Sequence, residues 1–139
     1  MRLVLDSNVL ISALFWNGNE RVLLEECKCS DHTSVTSEPI IREVENVLRE
    51  KFKVPDDRLK AFTQSMIMMS DLVFISGFLK VVDDDPKDNM VLETAIVGKA
   101  DFVITGDNHL LKIKQYGGVK ILKASKFLSR RWTPSTSFG

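Results

Sequence analysis

Three acidic residues lie where predicted strands end or a predicted helix begins, and their positions suggest a shared site. Asp6 follows the apolar run Leu3-Val4-Leu5, and Asp107 comes shortly after Phe102-Val103-Ile104. Asp88 falls in the first turn of a predicted buried helix. In an open parallel sheet, ligands bind beyond the carboxyl ends of the strands. We therefore expect these carboxylates to converge at one edge of a sheet.

Converging carboxylates need a cation. Like charges in a partly desolvated site raise one another's pKa, so several carboxylates cannot all stay ionised without a counterion. Mg²⁺ and Mn²⁺ are the natural ions for a site made of oxygen ligands. Such ions lower the pKa of a bound water and neutralise the charge that develops on a phosphodiester under attack. The pattern therefore predicts metal-assisted hydrolytic chemistry.

Periodicity alone leaves a fourth acidic position ambiguous. The predicted helix that begins at Glu38 carries Glu43 and Glu45 near opposite edges of its apolar stripe. On a helical wheel, each lies roughly 90–110° from the centre of that stripe. Either residue could therefore face the predicted site.

Each of these carboxylates also has a structural interpretation. Asp85 precedes a proline at a predicted helix start, where it is a good N-cap, and Asp88 then lies where a carboxylate favours the helix dipole. Asp107 is an acceptable cap for the short helix that follows it. Asp6 has the weakest structural explanation, apart from capping a helix that begins near Asn8.

Strands and helices alternate along the chain, which predicts the scaffold that positions these residues. Short apolar or β-branched runs predict strands, and helical spacing of apolar residues predicts the helices between them. The predicted strands are Leu3–Leu5, Thr33–Thr36, Leu72–Ile75, Phe102–Ile104 and Val119–Leu122, with Leu79–Val82 as a further short apolar run. The helix that ends at Gly98 is apolar nearly all round and should be buried. The pattern predicts an α/β fold in three α/β/α layers, with a central parallel sheet of four to five strands.

The length and composition fit one globular domain. The 139 residues are 44% hydrophobic and 27% charged, which allows one real core and no second domain. We assign residues 1–131 to the domain and expect 132–139 to be a mobile tail. No stretch approaches the ~18 apolar residues of a membrane span, and the start of the chain does not resemble a signal peptide. These features predict a cytoplasmic protein with no membrane partner.

The charges are unevenly distributed, although 19 basic and 19 acidic residues give a formal net charge of zero. After Asp107 there is no Asp or Glu. The same segment carries seven basic residues: Lys112, Lys114, Lys120, Lys123, Lys126, Arg130 and Arg131. A basic segment beside an acidic pocket is what a phosphodiester-cleaving site needs, although a charge run is more often a solvated face.

Cysteine and histidine give weaker signals. Cys27 and Cys29 are separated by one residue, a spacing that rarely forms a disulfide, and two cysteines cannot complete a four-ligand zinc site. A partial soft-metal site with His32 is the less favoured interpretation, and reduced, partly buried thiols are expected. His109 is interpreted as a surface or capping residue rather than a catalytic one.

Four sequence blocks resemble those of the PIN-domain ribonuclease family. They are Leu5-Asp6-Ser7-Asn8-Val9-Leu10, the segment from Ser37 to Val44, Asp85-Pro86-Lys87-Asp88-Asn89, and the segment from Lys99 to Asp107. The first is similar to the family's opening LDTNVL signature, with Ser7 in place of Thr. The blocks follow the family's order and spacing, and the similarity extends from Arg2 to about Leu128. The branch they resemble most is the prokaryotic group of VapC-like toxin components of toxin–antitoxin pairs.

The resemblance implies a Rossmann-like domain whose acidic pocket binds one or two Mg²⁺ or Mn²⁺ ions and cleaves single-stranded RNA with metal-activated water. The family's acidic quartet falls on Asp6, Glu43, Asp88 and Asp107, with Asp85 as a fifth candidate ligand and with Asn8 and Thr105 as supporting polar residues. The resemblance alone selects Glu43 over Glu45. Asn108 follows Asp107 where the family often has a longer acidic pair, which leaves the affinity for a second metal open.

Partners follow from the charge pattern and from the resemblance. The candidates for contact with the RNA backbone are Lys123, Lys126, Arg130 and Arg131. The resemblance also implies a homodimer and a small antitoxin protein as partner. Phe15-Trp16 or the helix from Phe62 to Met69 are candidates for an apolar dimer interface, although core burial is the expected fate of most of them.

Other functions remain to be separated from this one. One is a non-catalytic PIN module that binds RNA or protein, and another is an RNA-processing nuclease that is not a toxin. Intact acidic positions favour a nuclease over a degenerate module. A phosphatase of the haloacid-dehalogenase type needs Asp-x-Asp after its first strand, and here Asn8 takes the second place, so that class is disfavoured.

Overall fold

A computed structural model describes residues 1–82 and 85–131 of the protein, apart from the Arg131 side chain. Its strands are β1 (Arg2–Leu5), β2 (Thr33–Ser37), β3 (Ser70–Val73), β4 (Phe102–Ile104), β5 (Gln115–Tyr116) and β6 (Val119–Leu122). They form one six-stranded sheet in the order β3-β2-β1-β4-β6-β5. All neighbouring pairs are parallel except β5 with β6. The predicted α/β class with a mostly parallel central sheet is confirmed.

The described helices connect these strands as the sequence predicts. They are α1 (Ser7–Phe15), α2 (Asn19–Lys28), α3 (Glu38–Glu50), α4 (Asp56–Met69), α5 (Pro86–Val97), α6 (Asn108–Ile113) and α7 (Ala124–Arg131). The strand order runs outwards from β1 to β3 and then returns to β4 on the other side of β1. Because crossovers between parallel strands are right-handed, this reversal places α1 to α4 on one face of the sheet and α5 on the other.

The central position of α5 explains its unusual composition. Its buried residues include apolar and polar side chains: Asp88, Val91, Leu92, Glu93, Thr94 and Ala95. The helix packs against β1, β2 and β4. A helix covered on most sides must be apolar nearly all round, which is what the sequence predicts, and the polar exceptions therefore need specific partners.

Two details of the predicted sheet are wrong. The third strand lies two residues earlier than predicted, and a sixth strand exists, the antiparallel pair Gln115–Tyr116. The predicted apolar run Leu79–Val82 forms no strand. Its backbone N–H groups donate to side chains of α5 instead: Leu79 to Glu93, and both Val81 and Val82 to Asn89. Satisfied in this way, the segment needs no neighbouring strand.

Some expectations fall outside what the structure describes. The predicted mobile tail, residues 132–139, and the acidic residues Asp83 and Asp84 lie outside the described residues. Among the residues that are described, none of the helices has the length and apolar character needed to cross a membrane.

Candidate active site

The site forms at the edge of the sheet where the strand order reverses. β1 lies between β2 and β4, and Leu5 pairs with Ile104 at the carboxyl ends of β1 and β4. The chain then leaves the two strands through Asp6 and Thr105, and the Asp6 N–H donates to the Ile104 carbonyl at 2.9 Å. Ligands of open α/β sheets bind at such a switch point. The fold therefore brings the residues after β1 and β4 together.

Asp6 is held in place by donors on both of its oxygens. Its Oδ1 accepts from the Ser7 N–H at 2.7 Å, and its Oδ2 accepts from the Thr105 hydroxyl at 2.7 Å and from Asn8 Nδ2 at 3.2 Å. The bond from Ser7 makes Asp6 the N-cap of α1. Asp6 therefore caps a helix and also faces the switch point, so its structural and chemical interpretations coexist.

Thr105 and Asn8 connect Asp6 to the loop after β4. The Thr105 hydroxyl donates to Asp6 and accepts from the Asp107 N–H at 3.0 Å. Asn8 Oδ1 accepts from the Gly106 N–H at 3.3 Å. Both residues lie in the predicted supporting positions and fix the backbone that carries the next carboxylate.

Asp88 is a buried carboxyl group whose neighbours are the carboxyl groups of Asp85 and Asp107. Its side chain is 3% exposed, and no hydrogen-bond donor among the described residues contacts its Oδ2 atom. Burial raises the pKa of Asp88 to about 8, with further contributions from Asp107 and Asp85. A buried polar atom without a partner is rare in folded proteins. A positive charge next to Asp88 would offset both its burial and its repulsion from Asp85 and Asp107.

Asp85 and Asp107 have the capping roles that the sequence predicts. Asp85 is the N-cap of α5 and accepts from the Lys87 N–H at 3.0 Å and the Asp88 N–H at 3.3 Å. Asp107 caps α6 and accepts from the His109 N–H at 2.8 Å. Each of these bonds uses Oδ1, so the second oxygen of each carboxylate is not used in the cap.

Glu43 and Glu45 point to different surroundings. Glu43 accepts from Lys87 Nζ at 2.9 Å, and its charge, with that of Asp107, adds to the burial that raises the pKa of Asp6. Glu45 accepts from the hydroxyl of Thr63 on α4. The structure therefore places Glu43 with Asp6, Asp88 and Asp107, which together form the acidic cluster. Glu45 faces α4 instead, a distinction that helical periodicity could not make.

His109 lies closer to the acidic cluster than the sequence interpretation suggests. One ligand atom each from Asp85, Asp88 and His109 lie within 4.8 Å of one another. The side chain is exposed and begins in the first turn of α6. The only signal in the sequence is its position two residues after Asp107, which does not reveal that the start of α5 lies opposite.

The comparison with known families agrees with the site. The family described as PIN domain matches residues 2–109. The chain belongs to the PIN-domain family. PIN domains are generally nucleases and bind divalent metals. The predicted resemblance is therefore confirmed at the level of the family.

Solved structures agree with the fold of this PIN domain. It is similar to a chain in the crystal structure of VapBC2 from Rickettsia felis bound to a DNA fragment from their promoter. The TM-score is 0.61 at 16% sequence identity, and the match covers 87% of this chain and 97% of that chain. No curated protein matches the chain.

The donor set of this PIN domain fits a divalent cation. Asp6, Glu43, Asp88 and Asp107 come from four different parts of the chain, and electrostatic contacts link them into one cluster. Carboxylate oxygens are the ligands that Mg²⁺ and Mn²⁺ prefer. Burial and neighbouring carboxylates raise the pKa values of Asp6 and Asp88, and Asp88 Oδ2 has no hydrogen-bond partner among the described residues. A bound cation would offset both effects.

The described members of the predicted RNA-contact set lie at different distances from this cluster, just before α7 and along it. Lys123 lines a cleft with Asn8 and Thr105 at the carboxyl ends of the strands. The Arg130 guanidinium lies 5.0 Å above the ring of Phe102, the first residue of β4 and therefore at the opposite end of that strand. Lys126 is exposed on α7, and the Arg131 side chain lies outside the described residues.

Cys27 and Cys29 are free thiols, as predicted. Cys27 is buried, and burial raises its pKa to about 12, whereas Cys29 is exposed. His32 Nε2 lies 3.3 Å from Glu26 Oε1, and its ring packs edge-on against Phe127. The burial of Cys27 and the contacts of His32 favour structural roles for these two residues.

Proposed function

We propose that this PIN domain is a Mg²⁺- or Mn²⁺-dependent endoribonuclease that cleaves single-stranded RNA with metal-activated water. The observation that carries the proposal is the buried Oδ2 atom of Asp88, which has no donor within the part of the chain that the structure describes and lies among other carboxylates. Carboxylates packed in this way destabilise one another unless a cation joins them. Family membership supports the same chemistry, because PIN domains are generally nucleases.

The roles of the residues follow from their contacts. Asp6, Glu43, Asp88 and Asp107 are proposed as the catalytic metal ligands, with Asp85 as a further ligand. When bound, one or two divalent ions would activate a water and neutralise charge on the phosphodiester. The chain's own task is to hold these ligands rigidly, as Thr105 and Asn8 do for Asp6.

Lys123 is the basic residue that best fits an RNA-backbone contact. It lines a cleft with Asn8 and Thr105, the two residues whose side chains hydrogen-bond to Asp6. Lysine binds phosphates as a compact point charge. Lys126, Arg130 and Arg131 remain proposed as weaker contacts along α7.

We further propose that the protein is the toxin component of a type II toxin–antitoxin pair, with a small antitoxin protein as its partner and cytoplasmic localisation. The support is the structural similarity to a chain of VapBC2. A neighbouring reading frame for a small DNA-binding protein that neutralises growth inhibition would favour this role. Growth unaffected by expression would instead favour an RNA-processing nuclease.

A homodimer is proposed through an aromatic patch. Phe15, Trp16 and Phe52 are 41%, 56% and 38% exposed, and the rings of Phe15 and Phe52 stack with centroids 4.3 Å apart. Core burial is expected of most of the candidate interface residues; Phe15 and Trp16 are exposed, whereas Phe62 and Met69 are partly buried against the core. On the predicted helix from Phe62 to Met69, Met66 is buried in the core, whereas Ile67 and Met68 are exposed. An exposed apolar cluster of this kind is typical of protein interfaces.

The proposed activity is tested by incubating a mixed single-stranded RNA with the protein in Mg²⁺ or Mn²⁺. We expect cleavage that stops in EDTA and that falls by at least about a hundredfold in Asp6→Asn and Asp88→Asn. Cleavage that persists in both variants, or that ignores EDTA, would overturn the metal-carboxylate mechanism. Folded, metal-binding protein that cleaves no RNA would favour the non-catalytic module.

A further inference from the structure

His109 extends the acidic cluster with a different kind of donor atom. A ring nitrogen of His109 and one carboxylate oxygen each from Asp85 and Asp88 lie within 4.8 Å of one another. Two atoms bound to one ion at about 2.0–2.3 Å can be at most about 4.6 Å apart, so a small rotation of the exposed His109 side chain is enough to bring all three atoms onto a single ion.

Both helix starts that supply these groups are fixed by their caps. Asp85 and Asp88 belong to the start of α5, where Asp85 accepts from the Asp88 N–H. His109 belongs to the first turn of α6, where its N–H donates to Asp107. The backbones that carry the three donors are therefore held in place by these caps, and the His109 side chain is exposed.

An independent observation points to a ligand at this position. Asp88 is 3% exposed, and its Oδ2 atom contacts no donor among the described residues. Its carboxylate neighbours, Asp85 and Asp107, have no hydrogen to donate when ionised. A cation at this position would stabilise the ionised form of this buried carboxyl group, and the exposed His109 side chain lies next to it.

We propose that His109 is a nitrogen ligand that joins Asp85 and Asp88 in a mixed subsite, and that this subsite selects Mn²⁺ over Mg²⁺. Imidazole nitrogen binds first-row transition metals well, whereas Mg²⁺ takes oxygen ligands almost entirely. The inference rests on the proposed metal site and adds to it a ligand outside the acidic quartet. It also answers which of the two ions the site prefers.

The test measures metal binding directly, without RNA. Metal-free protein is titrated with Mn²⁺ while free Mn²⁺ is followed by electron paramagnetic resonance, and Mg²⁺ is then added as a competitor. We expect wild type to bind Mn²⁺ more tightly than Mg²⁺. His109→Asn should lose at least about tenfold in Mn²⁺ affinity with little change for Mg²⁺. Asn108→Ala, an exposed neighbour on the same helix, is the matched control and should bind as wild type does.

A second variant tests whether the nitrogen atom itself, rather than any metal ligand at this position, determines the preference for Mn²⁺. His109→Asp keeps a ligand at this position but replaces nitrogen with oxygen. We expect it to bind both ions, with the preference for Mn²⁺ over Mg²⁺ reduced relative to wild type. A purely structural role of His109 predicts no such change in selectivity.

The outcomes distinguish this inference from the proposed function. Unchanged Mn²⁺ binding and selectivity in both His109 variants would overturn the role of His109, while metal-dependent cleavage would stand. Absence of Mg²⁺ and Mn²⁺ binding in wild type would overturn both. A selective loss of Mn²⁺ affinity in His109→Asn, with selectivity shifted in His109→Asp, would establish the nitrogen ligand.

Discussion

At the residue scale, the buried carboxyl group of Asp88 lowers the stability of the metal-free fold when it ionises. Burial, with the charges of Asp107 and Asp85, raises its pKa from 3.8 to about 8. A carboxyl group whose pKa is raised in the folded state contributes stability that is complete below its unfolded pKa. That contribution is lost as the pH rises through the folded value. Without metal, the protein therefore becomes less stable as Asp88 ionises.

We predict that Asp88→Asn stabilises the metal-free protein at pH 8. The neutral amide avoids the buried charge, so the variant should gain at least about 1 kcal/mol, or roughly 3–5 °C in melting temperature. The difference from wild type should shrink as the pH falls towards 4. Thermal denaturation in EDTA across this pH range measures it, and a variant that melts below wild type at pH 8 would contradict the account.

Addition of metal should reverse the comparison. An ion that binds only the folded protein stabilises it by mass action, and Asp88→Asn removes a proposed ligand. Saturating Mn²⁺ should therefore raise the melting temperature of wild type more than that of the variant.

The residue scale also shows how far the sequence predicts the site. The positions of Asp6 and Asp107 follow from strands that end at the same edge of a parallel sheet. The choice of Glu43 over Glu45 depends on α4, where Thr63 contacts Glu45, and no local pattern contains that contact. The proximity of His109 to Asp85 and Asp88 cannot be predicted locally for the same reason, because these neighbours belong to a different helix.

At the element scale, α5 organises the segment that precedes it. Its buried Glu93 accepts from the N–H groups of Ser76 and Gly77 at 2.7 and 3.0 Å and of Leu79 at 3.2 Å. A carboxylate that accepts several backbone bonds replaces the strand partner that this segment lacks. Glu93 is therefore a structural residue, although it lies one helical turn and a half from Asp88.

We predict that Glu93→Gln destabilises the protein by about 1–3 kcal/mol, because an amide cannot accept all three bonds with the strength of a carboxylate. Urea denaturation measures the loss, and hydrogen exchange should show faster exchange at Ser76, Gly77 and Leu79. Glu50→Gln, an exposed change at the end of α3, is the control and should have little effect. Equal stability of both variants would contradict this role.

The same element explains where the predicted sheet is wrong. Alternation of apolar runs and helical patterns is enough to predict the five parallel strands. The two-residue strand β5 carries no period that could reveal it. The segment Leu79–Val82 has the composition of a strand, but Glu93 and Asn89 supply its hydrogen bonds. In both segments, contacts with residues distant in sequence determine whether a strand forms.

At the scale of the whole molecule, the fold divides the basic C-terminal segment. Lys123 lies at the same end of the sheet as the acidic cluster, whereas Arg130 lies above Phe102 at the other end. Of these two basic residues, only Lys123 therefore lies at the end of the sheet that carries the acidic cluster.

We predict that Lys123→Ala weakens RNA binding more than Lys126→Ala does. Each phosphate contact to a single strand contributes about 0.7 to the slope of log affinity against log salt, so Lys123→Ala should reduce that slope by about this amount. Filter binding of a noncleavable RNA over a range of salt concentrations measures it. Equal slopes for the two variants would show that the cleft beside Asn8 is not the path of the backbone.

The most direct test of the account compares the cleavage rates of Glu43→Gln and Glu45→Gln in Mn²⁺. Both changes are isosteric and lie two residues apart on α3, but only Glu43 faces the acidic cluster. We predict that Glu43→Gln lowers the rate by at least about a hundredfold, while Glu45→Gln retains most of the activity. Wild-type activity in Glu43→Gln, or an equal loss in Glu45→Gln, would contradict a nuclease site built on Asp6, Glu43, Asp88 and Asp107.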